Sequence, residues 1–406
     1  MEKTMQAYFK LPLILAPFLM VGCASIGSEN SLNPVETEVS SELINRTEVV
    51  AIVTSVDVAT DLEQKAAHWG YDLKRKEILP ELGIYLLAFD CPPGIDPYEA
   101  SLELERLQPQ STVEVNHKYT LQAPIDLAPV DMTKASKAFR GPLKYADALI
   151  EWPEQGCEAL IKIGIIDGEV NPEALVKDPS TQIIKRKFLG QRVGKLASLH
   201  GTAIADIIAG SGRLKNATIY NASVVGEDEQ GIQYSGVEPM LKALNWMVSQ
   251  DVKVVNISLA GPYNRTLERG IKSAVDKGLI IVAAVGNDGA NASPRYPAAF
   301  ENVIATTAVD SNMQVYENAI QGKHVDVSAP GVEIFVADGQ NGRYVSGTSM
   351  ATPFVSAKIA SDIRYANAKS LDEIRMFFKK DSLDLGADGP DTVFGAGLIR
   401  ANNCQL

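Results

Sequence analysis

Along the chain the spacing of apolar positions changes character several times, and each change marks a boundary. A short apolar run over 11–21 follows Lys3 and Lys10 and contains two prolines. It is too short to span a membrane and reads as an export signal over residues 1–22. Residues 23–46 are polar, with serines and glutamates, and read as a tether. From 47 to 122 the pattern predicts a strand at 48–53, a helix at 59–69, strands at 71–79 and 83–90, a helix at 97–107 and a strand at 111–120. That β-α-β-β-α-β order is the ferredoxin-like motif, a small α+β unit. Residues 123–158 are loosely patterned, with one helix expected at 141–152, and form a connecting segment. From 159 to 406, apolar strands at 160–166, 217–225, 252–258, 279–285 and 303–309 alternate with helices. The helices fall at 200–209, 237–250, 265–277, from 348 onward and at 371–380. Continuous apolar strands separated by helices predict an α/β domain with a doubly wound, mostly parallel sheet covered on both faces. In such sheets reactive groups gather at the carboxyl ends of the strands.

Composition narrows the picture. A chain of 406 residues has room for two to three domains by the usual prior of about 150 residues each. The net charge of −12 argues against a nucleic-acid partner, which would require a basic face. The four cysteines, Cys23, Cys91, Cys157 and Cys404, are too scattered for a zinc site. Cys157 and Cys404 either bridge the ends of the last domain or remain two buried thiols. No metal-ligand cluster and no calcium-loop signature is readable. His68, His117 and His324 stand outside any motif and are expected at the surface.

Candidate chemistry begins at Gly347-Thr348-Ser349-Met350-Ala351-Thr352-Pro353. Gly347 permits a tight backbone, and Ser349 then falls in the first turn of a helix, where backbone N–H groups are left without helix partners. A serine hydroxyl attacks a carbonyl only with a base beside it. Three other stretches supply the missing parts. Ile163-Gly164-Ile165-Ile166-Asp167-Gly168 puts an acid at a strand tip. Leu199-His200-Gly201-Thr202 puts a histidine at a helix start. Val285-Gly286-Asn287-Asp288-Gly289 puts an amide at another strand tip.

The order Asp, His, Ser, with Asn between His and Ser, resembles the subtilisin-like serine proteases; α/β-hydrolases run Ser, Asp, His. The resemblance extends from about residue 160 to the end and includes Ser258-Leu259-Ala260-Gly261-Pro262, Tyr296-Pro297-Ala298, Ser328-Ala329-Pro330-Gly331 and Phe394-Gly395-Ala396-Gly397. It implies an endopeptidase with Ser349 as nucleophile, His200 as base, Asp167 as its orienting acid, and Asn287 with the Ser349 N–H as oxyanion donors. No cofactor is required for that chemistry. It also implies that Ser258, Leu259, Ala260 and Gly261 pair with the substrate backbone as an added strand. With Ala284, Val285 and Gly286 they would wall the pocket for the residue before the scissile bond. Arg295 either sits at the floor of that pocket, disfavouring basic side chains, or turns into solvent. Two departures mark a divergent branch: Ala203-Ile204 stands where many relatives carry His-Val, and Phe354 where many carry a histidine.

Leu19-Met20-Val21-Gly22-Cys23 resembles the lipobox of bacterial lipoproteins, with Met20 in place of the usual leucine. This implies lipid on Cys23 and a membrane surface as partner; Ala24 after it implies the outer membrane if the source is Gram-negative. The ferredoxin-like unit resembles the propeptide of these proteases. It would act as an intramolecular inhibitor whose tail, 117–122, fills the cleft until cleavage between Gln122 and Ala123. An esterase reading fails on chain order. The alternative kept open is a catalytically silent, propeptide-locked binding protein on the same scaffold.

Overall fold

The computed structural model describes residues 44–121, 130–131, 145–189, 195–210, 212–227, 231–338, 341–402 and 404. The export signal, Cys23 and the Gln122–Ala123 pair lie outside the described residues. The first domain runs β1 (Ile44–Val53), α1 (Val56–His68), β2 (Asp72–Leu79), β3 (Ile84–Asp90), α2 (Pro97–Leu107) and β4 (Thr112–His117). The β1 strand therefore begins inside the segment read as tether. The four strands form an antiparallel sheet in the order β2-β3-β1-β4. Ser55 caps α1 by accepting from the Val58 N–H, and Asp96 caps α2 by accepting from Tyr98 N–H, with Pro97 at the first helical position.

Alternation along the strands gives this sheet two apolar faces. Val49, Ala51 and Val53 pack under Leu62 of α1 and Leu104 of α2. Val50, Ile52, Ile84 and Leu86 point the other way and join a core built mainly from the second domain. The strand expected at 111–120 is in fact two. After His117 the chain leaves the first sheet, and β5 (Tyr119–Leu121) pairs with strands of the second domain. No break is visible in the sequence because both pieces keep the alternation of a strand.

The second domain continues through β6 (Val130–Asp131), α3 (Tyr145–Leu149), β7 (Cys157–Glu158), β8 (Ile163–Asp167), β9 (Gln182–Lys187), α4 (Lys195–Ala209), β10 (Leu214–Lys215) and β11 (Thr218–Ser223). It goes on with β12 (Gly226–Glu227), β13 (Gln233–Ser235), α5 (Val237–Ser249), β14 (Val254–Ile257), β15 (Leu259–Ala260), α6 (Arg265–Asp276), β16 (Ile280–Ala284) and β17 (Ile304–Val309). It ends with β18 (Val327–Pro330), β19 (Ile334–Asp338), β20 (Asn341–Val345), α7 (Thr348–Ser361), α8 (Ile363–Ala366) and α9 (Leu371–Asp381). Its central sheet is parallel throughout, in the order β18-β17-β16-β14-β8-β11-β9. Successive residues serve opposite cores. Ile165, Val254 and Val282 face Phe354 and Val355 of α7, while Ile166, Val255 and Ile281 face Met240, Leu244 and Ile271 of α5 and α6.

Several expectations need correction. Of the helix expected over 141–152, residues 141–144 lie outside the described residues and the rest shows α3 ending at Leu149; α4 starts at Lys195, so His200 lies in its second turn rather than at its start. Ala197, Ser198 and Leu199 have no helix-breaking character, so nothing in their side chains excludes them from the helix. The edge strand β9 was missed because it reads Gln-Ile-Ile-Lys-Arg-Lys, with its charged residues exposed, as suits an edge that must not pair further. His117 is not a surface residue: it is 3% exposed, and burial pushes its imidazole down to about 4. His324 is half-buried, with its Nε2 enclosed. His68 is exposed as expected. Cys157 and Cys404 are bonded to each other, which resolves the two readings of that pair.

Candidate active site

Three neighbouring strands, β16, β14 and β8, deliver Gly286-Asn287, Ser258 and Asp167 side by side at their carboxyl ends. Asp167 is the last residue of β8 and is fully buried. His200 Nδ1 stands 2.8 Å from its Oδ1 and 3.1 Å from its Oδ2. A carboxylate at that position keeps the proton on Nδ1 and leaves the lone pair on Nε2. Among the described residues that Nε2 is buried and has no hydrogen-bond partner. The approach of strand tip to helix is tight: a Cβ on Gly168 would fall 1.9 Å from the Ala197 carbonyl oxygen of α4. Asn221, on the neighbouring β11, holds the loop after Asp167. Its Nδ2 donates to the Gly168 carbonyl (3.0 Å) and its Oδ1 accepts from Val170 N–H (2.9 Å).

The serine arrives on α7, which packs beside α4 on the same face of the sheet. Gly347, the residue before the helix, has φ 150° and ψ 162°, a backbone that only glycine adopts readily. Ser349 follows in the first turn, and its Oγ donates a long 3.4 Å bond to the Ser258 carbonyl. Pro353 has no N–H, so the Ser349 carbonyl one turn earlier loses its helix donor. The Ser258 hydroxyl takes that place at 3.2 Å. Behind it, Asn256 Nδ2 donates to Ser258 Oγ (3.0 Å), and Ser356 Oγ donates to Asn256 Oδ1 (3.2 Å). All of these groups are buried, so each bond answers a desolvation cost of about 1–3 kcal/mol. The chain Ser356–Asn256–Ser258 thus ties the start of α7 to β14.

The orientation of Asn287 follows from Thr348, a residue not singled out from the sequence. Asn287 Oδ1 accepts from Thr348 N–H (3.0 Å) and Thr348 Oγ1 (2.9 Å), and Gly286 N–H donates to that same Oγ1 (3.2 Å). Both bonds identify the carbonyl end of the amide, so its NH2 end is turned away from Thr348. The position of Thr348, inside the Gly-Thr-Ser motif, was the available signal. Asn221 and Asn256 had another: each is a polar residue inside an apolar strand.

Ser258, Leu259, Ala260 and Gly261 line one side of a cleft, and β13 lines the other. Between them lies β5, antiparallel to both: Thr120 is opposite Tyr234 and Ala260, Tyr119 opposite Ser235, and Leu121 opposite Leu259. Ala284 and Val285 are fully buried behind Gly286. The aliphatic stem of Arg295 lies against Gly286, with its Cγ 3.3 Å from where a Cβ would stand. Its guanidinium is paired with Asp288 at 2.7 Å. The cation is therefore neither a bare pocket floor nor free in solvent.

This arrangement can be set beside known proteins. The model of the subtilase family (Peptidase S8) matches residues 160–397. This chain is a subtilase. Over 211 residues, half of this subtilase, it is 31% identical to the minor extracellular protease Epr of Bacillus subtilis, covering 32% of that protein. Over the same length it is 32% identical to Subtilisin BL of Lederbergia lenta, covering 76% of that chain. Among solved structures, fervidolysin from Fervidobacterium pennivorans superposes with a TM-score of 0.70 at 19% identity, over 90% of this subtilase and 62% of fervidolysin. The last likeness concerns the fold alone. Among the described residues of this subtilase no three or more His, Cys, Asp or Glu side chains are grouped so as to hold a metal ion. No described helix is long and apolar enough to cross a membrane.

Proposed function

We propose that the protein is an exported, self-processing serine endopeptidase. The observation that carries the reading is the contact of His200 Nδ1 with Asp167, which leaves Nε2 as a base on the side of the sheet where α7 begins. In this reading Ser349 Oγ attacks the peptide carbonyl carbon and its proton passes to His200 Nε2. Asp167 stabilises the imidazolium. The oxyanion is received by Asn287 Nδ2 and the Ser349 N–H. The proton then passes to the leaving amine, and water repeats the sequence on the acyl-enzyme. Loss of one oxyanion donor in subtilisin itself lowers kcat by about 10²–10³.

The first domain is read as a propeptide, with β5 in the place of substrate. Its supports are the two-sided pairing of β5 and the end of that strand opposite Leu259, next to Ser258. Cleavage is assigned to Gln122–Ala123. With lipid on Cys23, that cut separates the anchor from the enzyme, so the propeptide stays at the membrane while the peptidase domain becomes soluble. The test is intact mass and N-terminal sequencing of exported protein on a denaturing gel, wild type beside Ser349→Ala. A wild type that begins near Ala123 beside a full-length mutant is expected. Two uncut chains, or two chains cut alike, would remove self-processing.

A further inference from the structure

The strand β19 is the outer edge of the small sheet β19-β20-β6, and β20 runs on into Gly347 and Ser349. An edge strand leaves backbone N–H groups without ladder partners. One of them, on Ala337, donates to Asp206 Oδ2 at 2.9 Å. Asp206 lies on α4, about 9 Å along the helix from His200. The helix that carries His200 therefore grips the hairpin that delivers Ser349. The grip is near the hairpin tip, where Ala337 is opposite Gly342. The base of the hairpin is closed by Ile334 opposite Val345 and by the Gly347 N–H on the Gly331 carbonyl (2.8 Å). On its other edge the tip is held by β6, with Val130 opposite Gly342. Asp206 itself is 8% exposed, and its Oδ1 is buried with no hydrogen-bond partner. Gly210 closes over that oxygen, since a Cβ there would fall 2.1 Å from it. Burial pushes the carboxyl up to about 6, against the pull of the Ala337 N–H and of Arg213. The Arg213 Nη1 donates to the Asp206 backbone carbonyl (3.3 Å), and its Nε pairs with Asp147 (2.8 Å). A buried acid with one idle oxygen costs stability. A position that served packing alone would be filled better by an apolar side chain.

We propose that Asp206 is a positioning residue for the peptidase reaction: by fixing the β19–β20 hairpin to α4 it holds Ser349 in register with His200. The proposal rests on the reading of those two residues as nucleophile and base. Asp206 touches no reacting atom, and its effect passes through the Ala337 N–H. Without the grip the hairpin turns about its base, which is also the start of α7, and Ser349 Oγ spends less time within reach of Nε2. A misplacement of about 1 Å caused far from the chemistry costs up to about 10²-fold in rate. Ile334, Val336 and Val345 still pack the hairpin into the core, so the loss of this one bond corresponds to about tenfold. The loss belongs to kcat, because β13 and β15, the strands read as pairing with substrate, take no part in the contact.

Three measurements test it. The first is kinetic, on the self-processed protein with a fluorogenic peptide and with active sites counted by titration. Asp206→Ala is expected to lower kcat about tenfold at unchanged KM, and Asp206→Asn, which keeps an acceptor oxygen, by about threefold. An unchanged kcat in Asp206→Ala, or a loss confined to KM, would overturn the proposal. Ala337→Pro removes the donor at an edge position, where proline is tolerated. Combined with Asp206→Ala it is expected to cost no more than either change alone, about tenfold; a loss of about a hundredfold would mean that the two residues act separately. The second measurement needs no turnover and uses the whole chain carrying Ser349→Ala. Asp206→Ala is expected to speed hydrogen exchange about tenfold at the amides of Gly347 and Thr348 as well as Ala337. Faster exchange at Ala337 alone would overturn the coupling, whether or not the protein is a peptidase. A wild type that cleaves no peptide, with exchange at Gly347 and Thr348 still responding, would sink the peptidase reading and leave the coupling of helix to hairpin. The third separates positioning from stability. The folded pKa of Asp206 lies above the ordinary 3.8, so its contribution to stability is intact below pH 3.8 and is lost as pH rises through about 6. The melting temperature of the Ser349→Ala chain, minus that of the same chain with Asp206→Asn, is expected to fall between pH 4 and pH 7. A difference that holds or rises would mean that the acid serves stability, and would count against the proposal.

Discussion

The antiparallel sheet of the first domain covers Val49, Ala51 and Val53 with its own two helices, but it turns Val50, Ile52, Ile84 and Leu86 onto α5 and α6. The parallel sheet of the second domain has both faces covered by its own chain. The two domains differ as sharply in their polar groups. The first domain meets the second through ion pairs and caps at its rim. Arg75 joins Glu48 and Glu238, both at 2.6 Å, Asn116 Oδ1 accepts from Val237 N–H at the start of α5 (3.1 Å), and Arg265 reaches Glu114 and Glu105. The second domain adds a buried polar network, Ser356–Asn256–Ser258, at the start of α7. One domain depends on its neighbour for a core, and the other on internal hydrogen bonds for a site. The self-sufficient core and the candidate site therefore lie in the same domain, the second.

The comparison breaks most directly if a change at the site also unfolds the protein. Ser349→Ala is expected to lower kcat on peptide substrates by about six orders of magnitude, the size found for the nucleophile in subtilisin itself. Its melting temperature should match wild type. A matching loss of stability would show that site and core are not separable. On the other side, residues 44–121 expressed alone are expected to lack a cooperative melt in circular dichroism. Four aliphatic side chains left uncovered represent roughly 6–12 kcal/mol of burial, as much as the whole stability of a small domain. A sharp melt of that fragment would refute its dependence on α5 and α6.

A smaller effect concerns pH. Asn264 Oδ1 caps α6 by accepting from Leu267 N–H (2.9 Å), so its Nδ2 must donate to His117 Nδ1 at 3.0 Å. His117 is therefore a neutral acceptor, with Nε2 facing the Tyr98 hydroxyl at 3.3 Å. Its docked pKa of about 4 lies below the ordinary 6.5. The docked form is thus fully stable above pH 6.5 and loses stability as pH falls from 6.5 toward 4. Over that window the loss is on the order of 3 kcal/mol. Denaturant titrations at pH 7 and pH 4.5 are expected to differ less in His117→Gln than in wild type; an identical pH difference would exclude His117 as the cause. The smallest expected effect is inside the second domain. Ser356→Ala removes the donor to Asn256 Oδ1 and should cost about 1–2 kcal/mol of stability, read by calorimetry. Loss of docking of the first domain instead would contradict the division of labour.

What was legible in the sequence divides along the same line. The ferredoxin-like order and the alternating strands and helices of the second domain were readable because each apolar period is long. Asp167, His200, Asn287 and Ser349 stood out as candidates because each sits in a short motif at a strand tip or helix. The split between β4 and β5 was not readable, because a strand that changes sheets keeps its alternation. The burial of His117 was not readable either, because the face that covers it belongs to α6, far along the chain. Thr348 was in view through its motif, but a threonine at the start of a helix does not say which amide it will orient.

The bond between Cys157 and Cys404 closes a covalent circle through a sequence separation of 247 residues. Seen topologically, the peptidase domain is a ring with its site on the circumference. A single nick anywhere on such a ring opens it without shedding a fragment. Strand order, cleft and the side chains of Asp167, His200 and Ser349 then stay on one covalent piece. Two cuts between Cys157 and Cys404 are needed before any part of that ring departs.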